Sequence, residues 1–476
     1  MNALGRTVVV GSGISGLTVA WELARAGREV LVLESASRVG GLVETVMRDG
    51  YRFENGPNSF PDSARDLVAL AKAAGLSDRI VSADPAAQAR YIYHGHRLAT
   101  VPTGPSSLMK SQIFTARQKL RILAERFIPK GPKDAPESVA HFFARRFGPA
   151  TARTLVDAFV SGVYAGDARK VGLRSAFPML WEMEQEHGSI LKAMKVRRKA
   201  KKAADPQGND GSPASMTIQS FKDGMDEIVR ALADSLGDRV RLGRRVTSVK
   251  PRDGGGHHLT TVSAEEQTES LEADHLVVAV PAATAGRLLA ETNPMVSDLL
   301  FDIEYAGVVV LQAGFEEEQL EKLPNAFGYL VPRPTRMRTL GWLFSSKTFP
   351  GCAPEGRHAL TGYIGGATDP AILDAPPEAI RHLVIGELSL ALRMRRFPDP
   401  EYFHTLRHEP GLPQLDLGHF RRVRAIHGLL SEHHGLEIVG NFMGGVSIND
   451  CIRTSREAAG RLIGQPLEPL MAAGAS

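Results

Sequence analysis

Cysteine is nearly absent from this 476-residue chain. Cys352 and Cys451 are the only two and lie far apart, which argues against a disulfide framework and fits a reducing compartment. Neither belongs to a Cys-x-x-Cys pair or a close His/Cys cluster, so no metal site is expected. Long apolar runs are missing too. The longest begins at Leu276, contains Pro281 and stops at Arg287, short of the about 20 residues a spanning helix requires. The amino end, MNALGRTVVVGSG, has no charged segment followed by an apolar one, so no secretory leader is expected. Charge of one sign is also scarce. With 57 basic and 53 acidic residues the net charge is +4, well below what a nucleic-acid reader carries. These absences lead to the expectation of a cytoplasmic protein that can lie on a membrane but does not span it.

The basic excess is local. Residues 192–202, KAMKVRRKAKK, carry seven basic side chains and no acidic one. One reading is a solvated loop, because the flexible-looking ADPQGNDGSPAS follows; the other is a patch that attracts anionic lipid.

What is present is a chain long enough for two or three domains, 43% hydrophobic and with ample mass for a core. Residues 6–10 read as a short buried strand, GSGISG follows, and an amphipathic helix runs to about Ala26. Gly27 ends it, and residues 29–34, EVLVLE, form a second strand. Gly11, Gly13 and Gly16 thus make G-x-G-x-x-G between a strand and a helix. The first permits a tight turn, the second lets backbone approach a pyrophosphate, and the third lets helix pack near strand; the helix amino end then faces the phosphates. Glu34 closes the second strand, where a carboxylate can bond both ribose hydroxyls and repel an added phosphate. The pattern alone does not separate NAD from FAD.

Residues 64–76 predict a helix, and from about 112 to 202 the apolar spacing is helical. A helix over 221–237 and strands within 239–250 and 274–281 follow. Residues 308–364 are rich in strands and turns, and the last strand, LEIVG at 436–440, leads through glycines into a helix ending at Ile463. Strand-glycine-helix signals at both ends imply that the termini return to one site. A helix amino end there has unpaired N–H groups able to stabilise negative charge on a reduced flavin.

Arg38, Gly40 and Gly41 complete E-x-x-x-R-x-G-G after Glu34, which resembles the second half of the fingerprint of amine oxidase superfamily flavoproteins. Further strings, GPNSF (56–60), SGVYAGD (161–167), FPMLWEMEQEHGSI (177–190), FGYLVP (327–332), LPQLDLGH (412–419) and GNFMGGVSINDCI (440–452), together resemble the oxygen-dependent protoporphyrinogen oxidases over about residues 5–465. That resemblance implies an α/β protein: a Rossmann-like FAD-binding domain of discontinuous segments (1–85, 215–295, 410–465), a mainly helical, membrane-docking insertion (86–214) and a mixed α+β substrate domain (296–409). It implies noncovalent FAD held by Gly11, Gly13, Ile14, Ser15, Gly16, Glu34, Ser35, Arg38, Gly40, Gly41, Gly56, Pro57, Asn58, Ser59, Val246, Gly440, Asn441, Val446, Ser447 and Ile448. For a porphyrinogen it implies Arg90 as the propionate partner, with Arg97 as runner-up. Gly162 brings backbone close to the substrate, and Phe327, Gly328, Leu330 and Tyr363 supply the slot. Flavin chemistry requires no protein nucleophile or metal. Oxygen as acceptor, a homodimer, an anionic membrane surface on the inner face of the cell membrane and a ferrochelatase that takes the product are further implications. Coproporphyrinogen III is the nearest alternative substrate, and amine or carotene oxidation a more remote one. Ser447 stands where the family favours Gly or Ala, and Cys451 lies in a context unlike that of covalent flavin enzymes.

Overall fold

The computed structural model describes residues 5–204, 217–320, 323–433 and 435–470. Its centre is a five-stranded parallel sheet in which Thr7–Val10 lies between Val30–Leu33 and His275–Val278. Val240–Arg241 and Leu436–Ile438 add the two edges. The inner strands are continuous runs such as TVVV and VLVL with every residue buried, the pattern of strands covered on both faces. Helix Ile14–Arg25 covers one face and packs against the final helix, Ile448–Ile463. The two ends of the chain do meet, and they meet beside the glycine turn.

A seven-stranded sheet forms the second body. Its long members are Tyr305–Glu316, Arg357–Gly365 and Tyr402–Pro413, paired antiparallel, with Thr339–Leu343 and Gly328–Leu330 continuing it. Two more strands complete it and shift a predicted boundary. Residues 86–104 fall within the predicted helical insertion, yet Arg90–His94 and Arg97–Thr100 form a hairpin on the edge of this sheet, Gly328 opposite Arg90. RYIYH is rich in the β-branched and aromatic residues that suit a pleated, half-buried surface, and that pattern outweighs proximity to helices. The strand Tyr402–Pro413 likewise runs across the boundary placed at 410.

One face of this sheet packs on helix Pro377–Leu392 around Tyr329, Trp342 and Phe344. The other meets the helical segment, where Ile92 and Leu330 join Phe114 and Ala158. That segment includes Val139–Phe147, Asp157–Tyr164 and Pro178–His187, with a π turn at Ala152–Val156 immediately before Asp157. Its interior is held by charge. Arg146, fully buried, pairs with Glu125 and, at 3.3 Å, with Glu184; Arg145 binds both Glu137 and Glu184 at 2.9 Å. Breaking one partner of such a network would leave a buried charge exposed to low dielectric.

The basic run is not a loop. Residues Ile190–Ala204 are α-helical, as Ala, Lys, Arg and Met favour, and Glu125 caps the start by accepting from the amides of Ile190 and Leu191. The flexible stretch expected at 203–215 lies outside the described residues from 205 onward.

Candidate active site

The first strand ends at Val10 and the chain turns at Gly11, whose φ of +104° disfavours any side chain. A Cβ on Gly16 would sit 2.0 Å from the carbonyl oxygen of Gly11, so only glycine lets the helix approach this closely. At Gly13 the opposite holds: a Cβ there would meet nothing within 4 Å, so this side of the turn is open. No side chain caps helix Ile14–Arg25, which leaves its first amides available to a ligand. Ile14 and Ser15 occupy that buried first turn. These features fit a pyrophosphate.

Glu34 is held in place by the loop it serves. One carboxylate oxygen accepts from both the amide and hydroxyl of Ser12 at 2.8 Å, and the other from the amide of Ala36 at 2.8 Å and the hydroxyl of Ser35 at 3.2 Å. Val246 is buried on the neighbouring strand, whose Arg244 amide donates to the Glu34 carbonyl. The diglycine turn folds onto the same loop. Gly40 donates to the carbonyl of Ser12 and forms a bridge with Gly13, and a Cβ on Gly41 would lie 3.4 Å from the Gly13 Cα. Arg38 binds the Gly41 carbonyl at 2.9 Å and Glu44 at 2.8 Å, so it braces this turn.

Gly56 lies against the Leu42 carbonyl, 1.9 Å from where its Cβ would be, and carries the chain through Pro57, Asn58 and Ser59 toward the second sheet. Asn58 donates to its own loop at Gly56 and to the Tyr363 hydroxyl. The carboxyl-terminal turn, Gly440, Asn441 and Val446 among its members, follows strand Leu436–Ile438, where the Val439 amide bonds the Val278 carbonyl. The final helix begins at Ile448 with Ser447 as its cap, the hydroxyl accepting from the Asp450 amide at 3.1 Å. One of the first amides is taken by this cap, which also explains a serine where a smaller residue was expected. Cys451 is buried against the Ser15 hydroxyl, and burial pushes its thiol up to about 12, leaving an unreactive group.

The predicted substrate residues converge on one face of the seven-stranded sheet. Ile92, Leu330, Gly341 and Tyr363 stand opposite one another across four strands. Leu330 reaches Gly162 on helix Asp157–Tyr164: a Cβ there would come within 2.5 Å of a Leu330 methyl. Arg90 is half-buried, its guanidinium 5.8 Å from the Phe327 ring centroid, and burial lowers its pKa. Arg97 is exposed beyond the hairpin turn. Gly328 has a simpler reason to be glycine, since a Cβ would lie 2.1 Å from the Trp342 carbonyl oxygen.

Several residues escaped the sequence reading. Ser12 orients Glu34, and its position between the first two glycines was a usable signal. Asn449 accepts from the amides of Asp66 and Leu67, tying the last segment to helix Arg65–Ala73. Glu54 is buried in a cleft with Asn58, Phe327 and Cys352. Its carboxyl accepts from Thr45 Oγ1 at 2.7 Å and the Met225 amide at 3.1 Å, while burial pushes its pKa up to about 7. An acid after an aromatic strand reads as surface, so nothing in the sequence marked it. Among the described residues no cluster suits a metal ion.

The family described as flavin containing amine oxidoreductase matches residues 14–463. The chain belongs to that family. It binds FAD and is an FAD-dependent oxidoreductase. Among its relatives, the chloroplastic protoporphyrinogen oxidase of Nicotiana tabacum is 32% identical over 96% of this chain and 85% of its own length. The coproporphyrinogen III oxidase of Bacillus subtilis (strain 168) is 27% identical, over 95% and 96%. A crystal structure from Exiguobacterium sp. 255-15 superposes with a TM-score of 0.80 at 20% identity, covering 97% of this chain and 99% of that one. Putrescine oxidase bound to putrescine gives 0.70 at 16% identity, with the same coverage. The last two establish the fold alone.

Proposed function

We propose that this flavoenzyme oxidises protoporphyrinogen IX to protoporphyrin IX with oxygen as acceptor. The observation that carries the reading is the wall itself: an apolar row across a sheet, one arginine at its rim, and the cofactor-side loop tied to it through Asn58 and Tyr363. A flat, greasy macrocycle with acidic tails matches such a surface; a small amine would call for an aromatic cage. The tobacco and other plant relatives support the same substrate.

FAD, held by the glycine loops at Gly11–Gly16 and Gly40–Gly41, would supply the two-electron acceptor for hydride from the bridging carbons of the substrate. Three such two-electron steps, each with loss of one proton, remove six hydrogens and convert three O2 to three H2O2. The protein's part is to hold and to dry. Arg90 binds a propionate through two parallel N–H bonds. Leu330, Phe327 and Tyr363 flank the rings, and Gly162 brings backbone close where any side chain would crowd Leu330. Asn58 fixes the Tyr363 ring by its hydroxyl, and the remaining cofactor residues act as the glycine loops and caps described above.

The helical segment is read as the membrane-docking part. Exposed Met109, Leu120 and Phe127 project from it, at 58%, 67% and 72% exposure, and Lys192, Lys195 and Arg197 are exposed on the basic helix. None of the helices in the described residues is long and apolar enough to cross a bilayer. This supports peripheral attachment to an anionic leaflet, cytoplasmic side, tested by flotation with anionic liposomes at low and high salt. A homodimer and a ferrochelatase partner belong to the same reading.

The deciding assay adds each porphyrinogen anaerobically to the purified holoenzyme and follows flavin bleaching. Faster bleaching by protoporphyrinogen IX than by coproporphyrinogen III is expected. The reverse order would favour coproporphyrinogen III, the substrate named for the Bacillus relative. Bleaching by neither would remove the proposal.

A further inference from the structure

A second recess lies where the helical segment meets helix His419–Ser431 of the FAD side. None of the residues assigned above to cofactor or substrate lines it. The two bodies are locked together at its floor, where the Gly172 amide donates to the Leu415 carbonyl and a Cβ on Gly172 would lie 2.6 Å from the Asp416 carbonyl oxygen.

At its centre is Arg174. The guanidinium is clamped between two aromatic rings, 4.2 Å from the Trp181 centroid on the helical segment and 3.7 Å from that of Phe420 on the other body. With two ring faces this close, the guanidinium is held in place and its N–H groups are what it has to offer a ligand. Among the described residues Arg174 has no carboxylate or carbonyl partner; its contacts are the two rings. Lys133 and Arg421, both exposed, line the same recess. Arg421 also donates to the Asp134 carbonyl, which holds the Lys133 loop against the helix. Of the nearby acids, Glu137 and Glu184 are bound by Arg145, and Glu184 also by Arg146. The Asp134 carboxylate is the one left to oppose three cations.

We propose that this recess is a binding site for an oxyanion, the phosphate or carboxylate group of a small ligand or of a lipid head, with the stacked Arg174 as its bidentate donor and Lys133 and Arg421 as supporting charge. A planar fork held edge-on matches two oxygens of such a group. Because the clamp draws one ring from each body, an occupied site would also tighten their junction. The inference is independent of which porphyrinogen is oxidised.

The test uses the holoenzyme and inorganic phosphate. Trp21 and Trp342 are buried in other cores, so a saturable change in tryptophan emission at constant ionic strength would report Trp181. Wild-type protein is expected to saturate, and Arg174→Gln to bind at least about tenfold more weakly with its flavin spectrum unchanged. Lys133→Gln, on an exposed loop that cannot threaten the fold, is expected to weaken binding by a smaller factor. No saturable response, or the same response in both variants, overturns the proposal. Adding vesicles then identifies the source. Displacement of phosphate by vesicles containing phosphatidic acid, but not by pure phosphatidylcholine, assigns the site to a lipid head; no displacement by either assigns it to a free anion. Both outcomes uphold the oxyanion site.

Discussion

The two halves of the proposed active site are built by different means. On the proposed cofactor side the contacts would come mainly from backbone, with a turn at Gly11, an open side at Gly13 and a close approach at Gly16, joined by one carboxylate, Glu34, steered by Ser12. On the proposed substrate side they would come from side chains, Leu330, Tyr363 and Arg90, delivered by strands far apart in sequence. A backbone site demands particular residues at fixed spacing, because only glycine allows the geometry. A side-chain wall demands only size and polarity at register positions, which many residues satisfy. The first should therefore be brittle to substitution and the second graded.

The largest effect is expected at Gly16. Valine there would push a branched side chain into the Gly11 carbonyl, 2.0 Å from its first carbon, and neither backbone segment can yield. The Gly16→Val protein is expected to purify without flavin, or with its FAD content cut at least about tenfold. The ratio of flavin to protein absorbance measures it. Full flavin content would break the contrast between the two sides.

Arg90 comes next and belongs to the graded side. Arg90→Ala should leave the flavin spectrum intact and raise KM for the porphyrinogen by about 10- to 100-fold, the value of a charge-assisted pair. Arg90→Lys should fall between, since a lysine keeps charge but loses the fork. Equal loss of kcat in both variants would mean that Arg90 acts elsewhere.

This contrast also accounts for what could be read in advance. The glycine motifs, Glu34 and the return of the carboxyl terminus to the amino-terminal sheet were legible because each rests on local spacing. The membership of Arg90–His94 in the large sheet was not, since pairing with Gly328 is settled across more than 200 residues of intervening chain. Glu54 was invisible for a related reason. Its burial depends on Thr45 and the Met225 amide converging on it from separate segments. The capping role of Ser447 was not legible either, because a cap is a matter of rotamer, which spacing does not reveal.

Glu54 sharpens the comparison through pH. Burial raises its pKa from an ordinary 4.5 to about 7 in the folded protein, so the folded state holds its proton more tightly than the unfolded chain does. The sign follows: its contribution to stability is full below about pH 4.5 and is lost as pH rises through about 7. Glu54→Gln, which keeps an acceptor for Thr45 or Met225 but cannot ionise, should flatten the fall in Tm between those limits. Identical pH profiles for the two proteins would show that Glu54 is already charged in the fold.

The smallest effect is expected at Ser447, and it separates a structural reading from a flavin one. The hydroxyl accepts from the Asp450 amide at 3.1 Å and donates to the Asp450 carboxylate at 2.6 Å, so its visible work is to start the last helix. Ser447→Ala removes the cap and should cost about 1 kcal/mol of stability. Ser447→Gly should cost only a few tenths, since glycine also suits the cap position. Both should oxidise substrate at the wild-type rate if the residue acts on the helix alone. A drop in kcat in both variants, out of proportion to their change in Tm, would place Ser447 on the flavin itself, and the mainly backbone-built side of the site would then gain a side chain beside Glu34.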